Sequence, residues 1–185
     1  MLSPTVILAA LALDPLPPAN PAGPGTPVFS GSVGLQLTSG EEVAWLAGPS
    51  YRMTWMPLPF LGLTGDAYVA TIAETFPWGW VAGARVGPVL RWPLGRGPIS
   101  PFVAAQAGVL GVFAVGGGAD GGKSGAGGHE LSVEAGVDIP VKDLGTHRGR
   151  QSLMFLSVSG RAGTMTFDHF EAGFGSGRIA LGVGF

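Results

Sequence analysis

Apolar residues alternate with small or polar residues in repeated segments of the chain after position 28. The alternation is clearest in the last nine residues, 177–185, where every second residue is apolar: Ile179, Leu181, Val183 and Phe185. Side chains of a β-strand point in turn to the two sides of its sheet. The spacing therefore predicts a strand with one apolar face and one face of small groups.

We predict eight such strands, separated by segments rich in glycine, proline and polar residues. Their predicted bounds are 28–38, 43–56, 61–73, 80–92, 102–115, 130–141, 153–167 and 177–185. The glycine-rich segment 116–128 and the segment 168–176 are predicted loops. Pro49 and Pro88 fall inside strands, where proline removes a backbone donor, so each is expected to mark a bulge or a local opening.

The composition decides between a soluble and a membrane sheet. Charged residues make up 12% of the chain, hydrophobic residues 46%, and the mean hydropathy is +0.39. Soluble domains usually carry about 25% charged residues. No run reaches the roughly 18 apolar residues of a membrane helix. These features predict an all-β fold, a closed antiparallel up-and-down transmembrane barrel of about eight strands. A soluble barrel or sandwich would instead need many lysines and glutamates on its outer face.

Three regions are predicted along the chain. Residues 1–12 are a candidate signal peptide, because the short apolar run 6–13 ends near an Ala-Leu-Ala motif, although no lysine or arginine precedes that run. A disordered apolar tail is the alternative. Residues 13–27 are a proline-rich linker, and residues 28–185 form the barrel. The net charge of −2 gives no sign of nucleic-acid binding, and the absence of cysteine excludes disulfides.

Four tryptophans occupy the ends of two predicted strands: Trp45, Trp55, Trp80 and Trp92. Trp45 and Trp55 are ten residues apart, which is about the length that a tilted strand needs to cross the hydrocarbon layer. Tryptophan is stable at a membrane interface because it combines a large apolar ring with one hydrogen-bond donor. These four residues are therefore predicted to form two aromatic belts.

The opposite strand faces carry few charges, and a narrow barrel would enclose them. The predicted lumen charge network consists of Arg52, Asp66, Arg85, Glu134, Asp138, Arg161 and Arg178, with Gln106 on the same side. If the turns are symmetric, Arg52 lies opposite Asp66 and Glu134 lies opposite Arg161, close enough to form ion pairs. The network is interpreted as a structural plug, and a proton or ion path is the alternative.

On these features the segment 28–185 resembles the small eight-stranded outer-membrane β-barrel proteins of Gram-negative bacteria. The resemblance rests on the strand number, the tryptophan placement and the terminal strand that ends at Phe185. It implies location in the outer membrane, contact with the lipid bilayer and lipopolysaccharide, and reading of Phe185 by the barrel-assembly machinery. It implies no particular activity, because barrels of this size differ widely in function.

The predicted function is a structural or surface-interaction role without catalysis, cofactor or metal. One alternative is a lipid-modifying hydrolase, which needs a Ser–His–acid arrangement at the outer rim. In barrel lipid A deacylases a serine lies two residues after the histidine, and neither His129 nor His169 is followed by a serine at that position.

A second alternative is a narrow channel or carrier for small apolar ligands. The segment 117–124 matches a phosphate-loop pattern, but no helix is predicted after it, so nucleotide binding is not expected. The sequence specifies no oligomeric state.

Overall fold

The structure is a computed structural model that describes residues 29–40, 45–72, 79–94, 98–115, 123–147, 150–167 and 170–185. The predicted signal peptide and linker lie outside these residues, as do 116–122 of the predicted glycine-rich loop, and Asp168 and His169.

Eight antiparallel strands form one closed barrel, with each strand paired to its neighbours in chain order. The strands are β1 (Phe29–Ser39), β2 (Leu46–Trp55), β3 (Leu61–Ile72), β4 (Gly79–Arg91), β5 (Ser100–Val115), β6 (Lys123–His147), β7 (Arg150–Phe167) and β8 (Phe170–Gly184). The first strand closes on the last. The predicted fold class is confirmed. The described residues include no helix long and apolar enough to cross a membrane.

The strand register sets the tilt and the width of the barrel. Following the paired positions from Phe29 once round the sheet returns to β1 at Ser39, ten residues further along the strand. An eight-stranded barrel with such a stagger has strands tilted by about 40° and an interior that side chains just fill. We call the end that holds Phe29 and Phe185 the terminal end, and the opposite end the loop end.

Strands β6 and β8 begin seven residues earlier than predicted. Strand β6 begins at Lys123 rather than at 130, and its glycine-rich start pairs with β5 because ladder hydrogen bonds need no side chains. Strand β8 begins at Phe170 rather than at 177. Near its start the alternation is reversed, since Ala172 and Phe174 are buried while Glu171 is exposed. The predicted loops 116–128 and 168–176 are therefore wrong over 123–128 and 170–176.

The hairpin between β6 and β7 also differs from the prediction, because β6 continues to His147 and β7 begins at Arg150. Register shifts in β6 between Pro140 and Lys142 and between Asp143 and Gly145 accompany this extension. The last pair of β6 with β5 is at Asp138. The hairpin thus projects past the terminal end as a two-stranded ribbon.

The two prolines inside strands do not open the sheet. Pairs on either side of Pro49 and of Pro88 keep the same register, so neither residue marks a bulge, and that expectation is wrong. Each proline follows a glycine, Gly48 or Gly87, against which the backbone of the next strand packs closely.

The strand faces separate as the alternation predicts. Large apolar side chains of the outer face are about half exposed, whereas serines, threonines, glutamines and charged residues of the inner face are buried. The lumen also contains an apolar cluster towards each end. The loop-end cluster consists of Leu46, Tyr68, Ala70, Val81, Leu110, Met165 and Phe174. The terminal-end cluster consists of Leu94, Leu153 and Phe155.

A charged network inside the barrel as the candidate functional site

The middle of the lumen is occupied by charged side chains that strands from every side of the barrel direct inward. Among the described residues, nine charged side chains are buried: Arg52, Asp66, Arg85, Arg91, Glu130, Glu134, Asp138, Arg161 and Arg178. Ions this deeply buried are tolerated only when they are paired and hydrogen-bonded. Their partners therefore decide what the lumen can do.

Asp66 on β3 is the centre of the network. Arg52 donates to both of its oxygens, at 2.7 Å from Nε and 3.2 Å from Nη2. Arg85 Nε lies 3.3 Å and Arg161 Nη2 lies 3.0 Å from Oδ2, and Gln106 Nε2 donates to the same oxygen at 2.8 Å. One carboxylate thus holds three guanidinium groups from three different strands.

Glu134 on β6 is the second shared carboxylate. Arg52 Nη2 donates to its two oxygens at 2.6 and 2.5 Å, and Arg161 Nη2 donates to Oε2. Arg52 comes from β2, across the lumen from β6, so its bond to Glu134 crosses the barrel interior. The same two arginines bind Asp66, and the four side chains form a closed ring of ion pairs.

A third group of contacts lies towards the loop end. Arg85 Nη1 donates to Glu130 Oε1 at 2.8 Å, and Nη2 donates to Gln36 Oε1 at 2.9 Å. The Tyr68 hydroxyl donates to Glu130 Oε2 at 2.9 Å. The Arg85 guanidinium also lies 4.7 Å from the centre of the Tyr68 ring, within the range of a cation–π contact.

A separate ion pair lies towards the terminal end. Arg91 Nη2 is 2.6 Å from Asp138 Oδ2, and Arg91 Nη1 donates to Ser30 Oγ at 2.8 Å. The Phe155 ring lies 5.4 Å from the Arg91 guanidinium. This pair links β4, β6 and β1 below the central ring.

Arg178 on β8 is held differently from the other arginines. Its Nε donates to Ser50 Oγ at 2.9 Å and its Nη2 donates to Ser32 Oγ at 2.8 Å. None of the carboxylates that the structure describes lies within ion-pair distance of it. Arg178 is therefore a buried charge that hydroxyl groups solvate.

The structure places all seven residues of the predicted network in the lumen. Five of them are joined in the central group, Asp138 pairs with Arg91, and Arg178 stands apart. Glu130 and Arg91 also lie in the lumen, although neither was predicted to belong to the network. Glu130 lies two residues before Ser132 and Arg91 lies six after Arg85, so the period-two spacing could have identified both. Over the described strands, no group of three or more metal-ligating side chains is placed to hold a metal.

The four tryptophans of the predicted belts lie on the outer face, with between 44% and 53% of their surface exposed. Trp45 and Trp80 lie at the loop end. Trp55 and Trp92 lie at the terminal end, where Trp55 stacks on Phe29 at a ring distance of 6.3 Å and Trp92 packs against Phe60 at 5.5 Å. Between the two rows the outer face is apolar, as a lipid-facing surface requires.

Phe185 lies at the seam of the barrel with its side chain 53% exposed. Its backbone N–H donates to the Phe29 carbonyl at 2.9 Å, and the Phe29 N–H donates to the Phe185 carbonyl at 3.0 Å. These two bonds extend the closing ladder by one pair. The aromatic side chain is left on the outer face.

Comparison with known proteins finds similar solved barrels, of which the first supports the fold. The chain is similar to the crystal structure of Neisserial surface protein A, with a TM-score of 0.59 and 14% identity over 84% of this chain and 93% of that one. It also matches the N-terminal β-barrel domain of Pseudomonas aeruginosa OprF, with a TM-score of 0.47 and 10% identity over 83% and 96% of the two chains. Ail, the attachment invasion locus protein of Yersinia pestis, has a TM-score of 0.45 and 14% identity over 84% and 96%. No protein-family model and no curated protein sequence matches the chain.

The closed barrel, its apolar outer surface and the first of these likenesses define the class. The fold is that of the small eight-stranded outer-membrane β-barrels of Gram-negative bacteria, and the prediction of this class is confirmed. Its outer face, apolar between the two rows of tryptophans, is that of a barrel whose strands face lipid.

Proposed function

We propose that the protein is a non-catalytic barrel with a structural or surface-interaction role in the outer membrane. The observation that carries this proposal is the filling of the lumen. Charged side chains interlock across its middle, and an apolar cluster lies towards each end. Such an interior holds the strands together and offers no route for a solute. We therefore expect binding to other molecules to take place at the outer surface and the loops.

The channel or carrier alternative is less well supported. Passage through the lumen would require the ring around Asp66 and Glu134 to separate, and breaking buried ion pairs costs about 3–5 kcal/mol each. A lateral opening would require two strands to part, yet the register continues across Pro49 and Pro88. Within the part of the chain that the structure describes, no feature favours either route.

The hydrolase alternative lacks a suitable arrangement among the described residues. His129, Thr166 and Glu171 lie side by side on adjacent strands of the outer face near the loop end. A nucleophile–base–acid relay needs the histidine between the hydroxyl and the carboxylate. Here the threonine is in the middle, so this row does not support catalysis.

The proposed partners follow from the outer surface. The apolar band between the tryptophan rows fits the lipid bilayer, and the loop end would meet lipopolysaccharide if the termini lie in the periplasm. We further propose that the exposed Phe185 ring is read by the barrel-assembly machinery, because it is the aromatic end of an apolar stripe on the outer face.

Conductance tests the proposal directly. Purified barrel inserted into a planar bilayer is expected to give no current steps. A variant with Asp66, Glu134 and Arg161 all changed to alanine should give small current steps, which would show that the assay can detect an opened lumen. Incubation with lipopolysaccharide and phospholipid should leave both unchanged in mass. Steady wild-type conductance, or a lipid cleaved, would contradict the proposal.

A cellular experiment separates the structural role from the surface role. Cells without the protein are expected to admit a hydrophobic dye faster than cells that contain it. A variant shortened in the segment 116–122 should restore the barrier if the barrel body supplies the function. If that variant inserts normally but fails to restore the barrier, the segment 116–122 supplies the function through surface interaction.

A further inference from the structure

The charges inside the barrel do not balance. Among the residues that the structure describes, the lumen contains five arginines and four carboxylates. Arginine remains protonated in proteins, and each of the four carboxylates lies within ion-pair distance of a guanidinium group. The enclosed charge is therefore one positive unit in excess, in a region where an unbalanced ion is costly.

The excess is located at Arg178. Every other lumen arginine lies within ion-pair distance of a carboxylate, whereas Arg178 is held by two serine hydroxyls. Arg178 is 5% exposed, and its Nη1 has no hydrogen-bond partner among the described residues. A buried guanidinium with a free donor favours an anionic partner.

A cavity of about 10 Å³, the size of site that holds a single water or ion, lies on the far side of Ser32 from Arg178, which does not itself line the cavity. Its polar lining consists of Ser30, Ser32, Arg52, Thr54, Thr64, Arg91, Asp138 and Ser157. Ser32 is the link, because the same hydroxyl accepts a bond from Arg178. Arg91 Nε, a buried donor of the lining, also has no partner among the described residues.

We propose that this cavity binds one small monovalent anion of the halide class, which balances the charge of Arg178. Two guanidinium groups and the hydroxyl groups of three serines supply donors around it, whereas the Thr54 and Thr64 hydroxyls of the lining bond to each other. The Asp138 carboxylate also lines the cavity, but Arg91 lies 2.6 Å from it and offsets its charge. A cation would add to the excess, and a carboxylate ligand or phosphate exceeds the volume.

The apolar clusters towards the two ends of the lumen give the proposal a kinetic consequence. Leu153 and Phe155 pack with Leu94 on the terminal side of the cavity, and the loop-end cluster lies beyond the central ring. A hydrated ion crosses such layers slowly. The anion is therefore captured while the barrel folds, and the salt present at refolding determines the occupant.

The test uses the full chain refolded in detergent in sodium bromide or in sodium gluconate at equal ionic strength, because gluconate is too large for the cavity. The thermal midpoint, read from the mobility of heated samples on gels, is expected to be roughly 5 °C higher in bromide. Arg178→Gln removes the excess charge and should abolish the difference. Lys142→Gln, an exposed control, should keep it.

Two outcomes overturn the proposal: equal wild-type midpoints in the two salts, or an undiminished difference in Arg178→Gln. If Arg178→Gln does not fold, diffraction from crystals of wild-type protein that was both refolded and crystallised in bromide decides the matter. An anomalous peak beside Ser32 supports the site. A site that contains only water gives no anomalous peak and overturns it.

Discussion

Replacing Asp66 by asparagine tests whether the central network stabilises the barrel. The two side chains have nearly the same shape, so the change removes charge without creating a cavity. Asp66 accepts bonds from Arg52, Arg85 and Arg161 at 2.7 to 3.3 Å. The asparagine amide would bring N–H donors towards guanidinium groups that are themselves donors.

The expected cost can be worked from these contacts. A hydrogen bond to a charged group contributes about 1.5–3 kcal/mol and a neutral one about 0.5–1.5 kcal/mol, so weakening three arginine contacts removes about 3 kcal/mol. The lumen also gains a second unbalanced positive charge. Each of the three arginines keeps another carboxylate, Glu134 or Glu130, which limits the loss. We expect the free energy of unfolding to fall by about 3–5 kcal/mol.

Urea unfolding of the barrel in lipid vesicles, followed by tryptophan fluorescence, measures this difference. Glu171→Gln is the matched control, because it makes the same carboxylate-to-amide change at an exposed position of β8. Its effect should stay within about 0.5 kcal/mol. Adding Arg161→Gln to Asp66→Asn restores the previous charge balance and should recover part of the loss.

If Asp66→Asn and Glu171→Gln unfold at the same urea concentration with equal slopes, the network does not stabilise the fold, and the reasoning fails. If the double variant is no more stable than Asp66→Asn alone, the role given to charge balance is wrong. Mobility shift on unboiled gels verifies that each variant forms a closed barrel before the comparison is made.

Two further predictions concern packing and assembly. A Cβ at Gly83 would lie 2.6 Å from atoms of the Tyr68 ring, so Gly83→Ala should lower the free energy of unfolding in the urea assay by about 1–3 kcal/mol. Gly160→Ala is the control and should be nearly neutral, because no atom lies within 4 Å of its added carbon. Phe185→Ala should lower the amount of folded barrel in cells. It should leave the stability of the refolded protein nearly unchanged, because the backbone hydrogen bonds between residue 185 and Phe29 persist. Equal losses in the two measurements would argue against an assembly signal.

Short-range pairing in the barrel follows from the sequence. Arg52 lies opposite Asp66 and Glu134 lies opposite Arg161 in the register, as symmetric turns predict. The reason is geometric, since an antiparallel hairpin fixes the pairing of its strands once the turn is located. The full lengths of β6 and β8 were harder to predict from the sequence. Near the loop end of β8 the apolar side chains point into the lumen and a charged one points outward, which is the reverse of the pattern in the rest of the strand.

Contacts across the lumen could not be predicted in the same way. Arg52 and Glu134 are 82 positions apart, and Arg85 and Glu130 are 45 apart. Which inward side chains meet depends on the stagger accumulated over all eight strands, and a change of two residues in that stagger would give different partners. That Arg178 has no carboxylate partner can be recognised only once the arginine partners of every lumen carboxylate are known.

The alternation of apolar and small residues by itself determined the sheet, its two faces and its lipid-facing exterior, because a period of two sorts side chains between two environments whatever the rest of the chain does. Closure of the barrel decided everything that depends on distance across it. The shared carboxylates, the apolar clusters at the two ends and the unbalanced arginine arise only when the first strand pairs with the last, since only then do side chains from opposite walls enter the same narrow space.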